Sequence, residues 1–214
     1  MKKYVLAFLG IFLTAILVTA SLVTPGQAAA KKHFLKTTPY PKAIRVAVRE
    51  NNPWGHPDPR GRILYVKTYR FDDYLQNVLP NEWLPSWEDN SLRAGAIATK
   101  MFAWYHHLNP IKQSGFTFDV DNTVNFQAFV ERTNQPETDA ALKGTGHLAY
   151  VKKDGEIFEL NYRAGYQGSP NAQYRNAQKM SQWGSQYWAE RGKSPIEILQ
   201  YYYEGRLLTR IPGR

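Results

Sequence analysis

The chain has 214 residues, with 27 lysines and arginines against 18 aspartates and glutamates, a formal charge of +9 and no cysteine. The missing cysteine excludes disulfide staples, thiolate metal ligands and a cysteine nucleophile. The positive charge, with 14 tyrosines and 6 tryptophans, suits three kinds of partner: nucleic acid, an anionic polymer or lipid surface, and carbohydrate.

Lys2 and Lys3 precede an almost wholly apolar run from Tyr4 to Val23, which Pro25-Gly26 breaks before Ala28-Ala29-Ala30. Charge, apolar run, breaker and small residues, in that order, read as a bacterial-type export signal over residues 1–30, cleaved after Ala30. Left uncleaved, residues 4–23 would be a membrane anchor, since about 20 apolar residues span a bilayer. Without this segment, 184 residues and a charge of +7 remain, the length of one domain with enough chain to bury a core. Export argues against nucleic acid, and no interleaved basic and aromatic run resembles an RNA-binding motif. The expected location is the cell envelope or beyond.

Residues 31–42, polar with two prolines, read as a flexible arm, and residues 43–214 as the domain. Ala43 to Arg49 alternates apolar and polar residues, which predicts a half-buried strand. Asn51 to Gly61, with three prolines and two glycines, is a loop, and Ile63 to Tyr69 alternates again. Phe71, Tyr74, Leu75 and Val78 give a short amphipathic helix within Tyr69 to Leu79, ended by Pro80. A second helix starts after Asn90 or Ser91 and runs to about His107. Its interior Ala94, Gly95, Ala96, Ala98 and Ala103 predict burial on more than one side. Phe116 to Val120 reads as a strand. Ala149 to Lys152 and Ile157 to Tyr162 flank Lys153-Asp154-Gly155-Glu156, a hairpin signal. Tyr166 to Asn171 is a loop, and Met180 to Arg191 is helical. Ser194-Pro195-Ile196-Glu197 combines an N-cap serine, a first-turn proline and a capping-box glutamate, and Gly205 suits the end of that helix. The mixture predicts an α+β fold, a single domain of mainly antiparallel strands with an Ala-rich buried helix and a C-terminal helix.

The segment Val78-Leu79-Pro80-Asn81-Glu82-Trp83-Leu84-Pro85-Ser86-Trp87 sets a glutamate between two prolines and beside an indole. A carboxyl group that loses hydration there is held protonated, as an acid for cleaving a sugar bond must be. The same residues suit a surface loop whose tryptophans plug the core, and taken alone the segment reads as structural before it reads as catalytic.

From Tyr69 onward the chain resembles the SpoIID/LytB family. The resemblance is carried by Tyr74 to Trp83, by Ser91 to Ala103, by Asp121-Asn122-Thr123 with Gln127, by Met180-Ser181-Gln182-Trp183-Gly184 and by Ile198 to Tyr203. It implies an exported protein acting on peptidoglycan glycan strands. Better-known members are lytic transglycosylases, and others are described as enhancers of wall amidases, so a non-catalytic wall-binding or activating module is the alternative, with other cell-wall hydrolases as partners. Glu82 falls on the family's catalytic glutamate. Lys100 falls where many members carry arginine, keeping the charge but not the planar fork; it would bind a substrate carboxylate or steady ionised Glu82, or else reach water over the alanines. Gln127 and Gln182 match polar positions of the groove. Tyr162 and Arg163 are further candidates for groove contacts, with Asp121 as the acid to watch if a second carboxylate is used. Members commonly carry Gly-His-Gly-Val-Gly before Met-Ser-Gln; here the chain reads Arg175-Asn176-Ala177-Gln178-Lys179. Some members hold zinc through cysteine and histidine. With no cysteine, and with His106 and His107 adjacent on one helix and so unable to share a face, neither a metal site nor any cofactor is expected.

Overall fold

The computed structural model describes residues 31–214; the export segment read at residues 1–30 lies outside the described residues. Strand β1 (Ala43–Arg49) is central because both of its edges are paired. It runs antiparallel to β2 (Ile63–Arg70), from Ala43 opposite Arg70 to Arg49 opposite Ile63, and parallel to β5 (Val120–Asp121) through Val46 and Ala47. Ile44, Val46 and Ala47 are fully buried, whereas Leu64 and Tyr65 of β2 stand half exposed.

The helix expected up to Pro80 is two short helices. Helix α1 (Phe71–Gln76) stops at Asn77, and α2 (Leu79–Glu82) carries Pro80 in its first turn, where no helical bond needs its N–H. The proline therefore opens a turn of helix rather than closing one. Helix α3 (Asp89–Leu108) is the long alanine-rich helix, buried from Ser91 through Trp104 except at Arg93. Its small side chains let α4 (Pro136–Thr145), α6 (Gln182–Ala189), α7 (Pro195–Tyr202) and β6 (Leu148–Lys152) pack around it.

Phe116 to Val120, expected as one strand, is broken. A hairpin of β3 (Ile111–Gln113) and β4 (Phe116–Phe118) turns through Ser114 and Gly115, both at positive φ, and β5 follows after Asp119. Asp119 is diverted because its carboxylate accepts from the Arg45 main chain at 2.9 Å and from the Arg45 guanidinium at 2.6 Å.

The hairpin predicted around Gly155 forms its turn but not its second arm. Strand β6 pairs instead with β9 (Arg206–Arg210). Beyond the turn, Ile157 N–H donates to the His33 carbonyl and Leu35 N–H to that of Gly155. The segment read as a flexible arm is thus paired to the domain, with Leu35 buried and Tyr40 edge-on to Phe71 and Trp104. The parallel pair β7 (Tyr162–Arg163) and β8 (Met180–Ser181) leads into α6, and a one-turn helix α5 (Gln173–Asn176) precedes it. Helix α7 has the capping box read from its sequence, the Ser194 hydroxyl accepting from Glu197 N–H. These small, largely antiparallel sheets around a buried helix make an α+β fold. Among the described residues no helix is long and apolar enough to cross a membrane.

Candidate active site around Glu82

Helix α2 ends at Glu82, and the chain turns to extended backbone at Trp83. Trp83 is fully buried. Its indole lies over Gly95 of α3, where a Cβ would come within 2.5 Å of the ring. Its Nε1 donates to Ser185 Oγ at 3.0 Å, and its edge meets the Tyr162 ring at a centroid distance of 4.9 Å. Ser185 in turn contacts Ser91 at 2.8 Å. The anchored indole fixes the backbone that presents Glu82.

One Glu82 oxygen accepts the Ala128 main-chain N–H at 2.7 Å, and the other accepts Gln182 Nε2 at 2.7 Å. Gln182 Nε2 also donates to the Glu82 carbonyl at 2.7 Å, so one amide group clamps both ends of the residue. Gln182 is the first residue of α6, directly after the N-cap Ser181, whose hydroxyl accepts from Gly184 N–H. Burial pushes the Glu82 carboxyl above its ordinary range, while the Ala128 and Gln182 bonds and the charge of Arg163 pull the other way. Burial prevails. Each oxygen has one lone pair occupied by a fixed donor, so the proton of the acid form takes a remaining one.

Gln127 and Tyr162, expected as groove contacts, are buried. Gln127 is fully buried; it accepts from Tyr74 Oη at 3.0 Å and donates to Tyr162 Oη at 2.8 Å and to the Thr99 carbonyl at 3.2 Å. Burial holds both phenols far above their ordinary range. This locked amide fixes the next peptide, whose N–H is the Ala128 donor to Glu82. That donor carries no side-chain signal and is invisible to sequence reasoning. Arg163 is exposed, donates to the Tyr162 carbonyl at 2.7 Å, and is the cation that Glu82 senses.

Lys100 is not part of this cluster. Its Nζ donates to the carbonyls of Thr145 at 2.6 Å and Gly146 at 3.4 Å, at the end of α4. Nor does its head reach water, for the residue is only 2% exposed. Asp121 has no free role either: it accepts from Arg49 Nε at 2.6 Å and from Thr123 N–H and Oγ1 at 3.0 and 2.7 Å. His106 pairs with Glu159 and His107 with Asp119, and among the described residues no three histidine or acidic side chains gather as metal ligands. Trp87 and Trp183 pack with ring centroids 4.7 Å apart and their planes tilted by 52°. They are a partly buried aromatic pair five residues after Glu82 and one after Gln182, and no sequence signal joins them.

Residues 59–151 match the family model described as Stage II sporulation protein, SpoIID, a family associated with sporulation and the cell wall. The matched span takes in Glu82, Lys100 and Gln127 but not Tyr162, Arg163 or Gln182. An uncharacterized protein of Brachyspira hyodysenteriae is 36% identical over 67 residues, which cover 31% of this chain and 18% of that protein. Over residues 59–151, which build α1 to α4 and carry Glu82, this chain is similar to the SpoIID family.

Proposed function

We propose that this is an exported, peptidoglycan-directed lytic transglycosylase with Glu82 as its single acid and base. The observation that carries the reading is the Glu82 carboxyl, partly buried, raised by desolvation and held on both oxygens by fixed donors. Glu82 would protonate the oxygen leaving C1 of N-acetylmuramic acid. As a carboxylate it would then take the proton from the C6 hydroxyl of the same sugar, closing a 1,6-anhydro ring. Ala128 N–H and Gln182 Nε2 stabilise the carboxylate once the proton has left, and Arg163 adds a positive charge. No second carboxylate is needed, in contrast to a hydrolase that activates water, and Asp121, saturated by Arg49 and Thr123, suits none. The Trp87–Trp183 pair supplies apolar ring surface for a sugar face.

A non-catalytic wall-binding or amidase-activating module is favoured by one feature, the replacement of the glycine-histidine run by Arg175 to Lys179. Incubation with peptidoglycan glycan strands, intact and stripped of peptides, separates the two by product mass. Anhydro-muramic ends that disappear in Glu82→Gln support the transglycosylase. Reducing ends point to a hydrolase, and intact strands bound by a folded protein point to the module.

A further inference from the structure

The loop that follows β7 is bolted to the first turn of α6, the turn that supplies Gln182 to Glu82. At its entry the Ala164 carbonyl accepts the Trp183 N–H at 3.0 Å and Ser181 Oγ at 3.3 Å. At its exit the Pro170 carbonyl accepts Tyr202 Oη at 2.6 Å and lies against Gly184, where a Cβ would come within 2.9 Å of it. Asn171, next in the chain and only 1% exposed, ties the loop to itself. Its Oδ1 accepts the Tyr166 N–H at 2.8 Å, and its Nδ2 donates to the carbonyls of Ser169 at 2.8 Å and Tyr166 at 3.0 Å.

Gly165, Gly168 and Asn171 all stand at positive φ, at 72°, 71° and 48°. Gly165 has no substitute, since a Cβ there would stand 2.1 Å from Ser181 Oγ, and Asn171 adopts a conformation uncommon for a residue with a side chain. What this construction holds out is Tyr166, whose side chain is left in solvent, the residue being 62% exposed. Both its N–H and its carbonyl are fixed by Asn171, so the ring has little backbone freedom left to lose on meeting a ligand. It lies two residues past Ala164, at most about 7 Å along the chain, and Ala164 is bonded to Trp183. It also lies three residues past Arg163, the cation that Glu82 senses. The exposed ring is followed by Gln167, Gly168 and Ser169, so it stands among polar residues rather than in an apolar patch of the kind that marks a protein interface.

We propose that Tyr166 is a sugar-binding residue beside Glu82, its ring packing on the C–H face of one saccharide unit of a glycan strand. The inference deepens the wall-directed reading and rests on it. Tyrosine offers the two surfaces that a sugar ring answers, an apolar face and a hydroxyl at its edge. The loop is rigid because a strand must be held in one register for one bond to meet Glu82, and the bonds of Ala164 and Gln182 to the two neighbouring elements tie that register to the carboxyl.

Titration of the full chain carrying Glu82→Gln with peptide-free peptidoglycan glycan strands reads binding apart from cleavage. Adding Tyr166→Ala should weaken binding several-fold, up to about ten-fold, with unchanged thermal unfolding because the ring is exposed. Tyr166→Phe should keep most of the affinity. Asn171→Gly retains the positive φ but removes the three side-chain bonds. It should weaken binding while Tyr166 is present and add nothing on top of Tyr166→Ala, a coupling that a merely structural loop would not show. Unchanged affinity in Tyr166→Ala would overturn the proposal. So would Tyr166→Phe as weak as Tyr166→Ala, a dependence on Tyr166 seen only with peptide-bearing strands, or no binding of peptide-free strands. The reading of Glu82 fails separately. Ring-dependent binding without cleavage by the native chain would remove the transglycosylase and leave Tyr166 in place. Anhydro-muramic ends formed with the same KM in Tyr166→Ala would do the reverse.

Discussion

Gly95→Ala should destabilise the protein although alanine is the better helix former. Position 95 lies inside α3, where exchanging glycine for alanine contributes about 1 kcal/mol in favour of the helix. The new Cβ would stand 2.5 and 2.6 Å from Cδ2 and Cε2 of Trp83 and 2.9 Å from its Cγ. Carbon atoms pack best at about 3.5–4.0 Å, so the indole must retreat by about 1 Å. It has little room to do so, being fully buried, bonded to Ser185 and edged against Tyr162. Overpacking costs about 1–3 kcal/mol; a contact this short on a locked ring takes the upper part of that range, about 2–3 kcal/mol, and the backbone that shifts with Trp83 is that of Glu82. With the helix gain subtracted, we expect a net loss of about 1–2 kcal/mol in urea unfolding, or roughly 2–8 °C in Tm for a domain of this size. Gly144→Ala is the control. A Cβ there meets only the Arg93 guanidinium, at 3.9 Å, so that variant should gain up to about 1 kcal/mol. If Gly95→Ala is as stable as the native protein while Gly144→Ala behaves as stated, the close packing of Trp83 on α3 is wrong.

Gln182→Leu removes one of the two donors that lower the Glu82 pKa, so the carboxyl should titrate at higher pH, read from its carbon-13 shift or from the alkaline limb of any cleavage activity; a downward move would refute the clamp. Lys100, lowered from 10.5 to about 7 by burial and by Arg214, has lost its proton in the folded state across a window where the unfolded state keeps it. Stability should therefore rise with pH between about 7 and 10. Lys100→Met should lack this component and be more stable near pH 7 by up to roughly 4–5 kcal/mol, and parallel pH profiles for the two proteins would contradict it. Arg49→Met leaves Asp121, 1% exposed, without its cation, and should cost about 3–5 kcal/mol in urea unfolding at pH 7; a loss below about 1 kcal/mol would mean that water reaches the carboxylate.

What could be read in the sequence was local. The capping box at Ser194 and Glu197 and the alternation of β1 depend on neighbours in the chain, and both stand as read. The pairing of β6 did not, because a turn signal names the residues that bend and not the strand that answers. Lys153 to Glu156 does turn, yet Arg206–Arg210 supplies the partner, while Gly155 within the turn accepts from Leu35 and Ile157 after it donates to His33. Asp119 breaks the strand before Val120 for a similar reason: its partners Arg45 and His107 are distant or out of phase in sequence.

The Glu82 corner divides the same way. The glutamate and Gln182 were visible as side chains, and the structure joins them over a separation of 100 residues. The Ala128 N–H was not visible, since only the fold of Gln127 onto Tyr74, Tyr162 and Thr99 aims it. Lys100 shows how one residue of helical phase redirects chemistry. The Thr99 carbonyl accepts from Gln127, on the Glu82 side of α3, and one residue on, about 100° around the helix, Lys100 is buried against the end of α4. A basic side chain at the expected sequence position therefore serves main-chain carbonyls of α4 rather than Glu82. The cation left near Glu82 is Arg163, which arrives on β7 from outside the span that matches the family. If the corner is catalytic, its electrostatics are completed by a strand that sequence comparison over residues 59–151 does not reach. Arg163→Ala should then raise the Glu82 pKa in the same direction as Gln182→Leu, without disturbing the packing of Trp83.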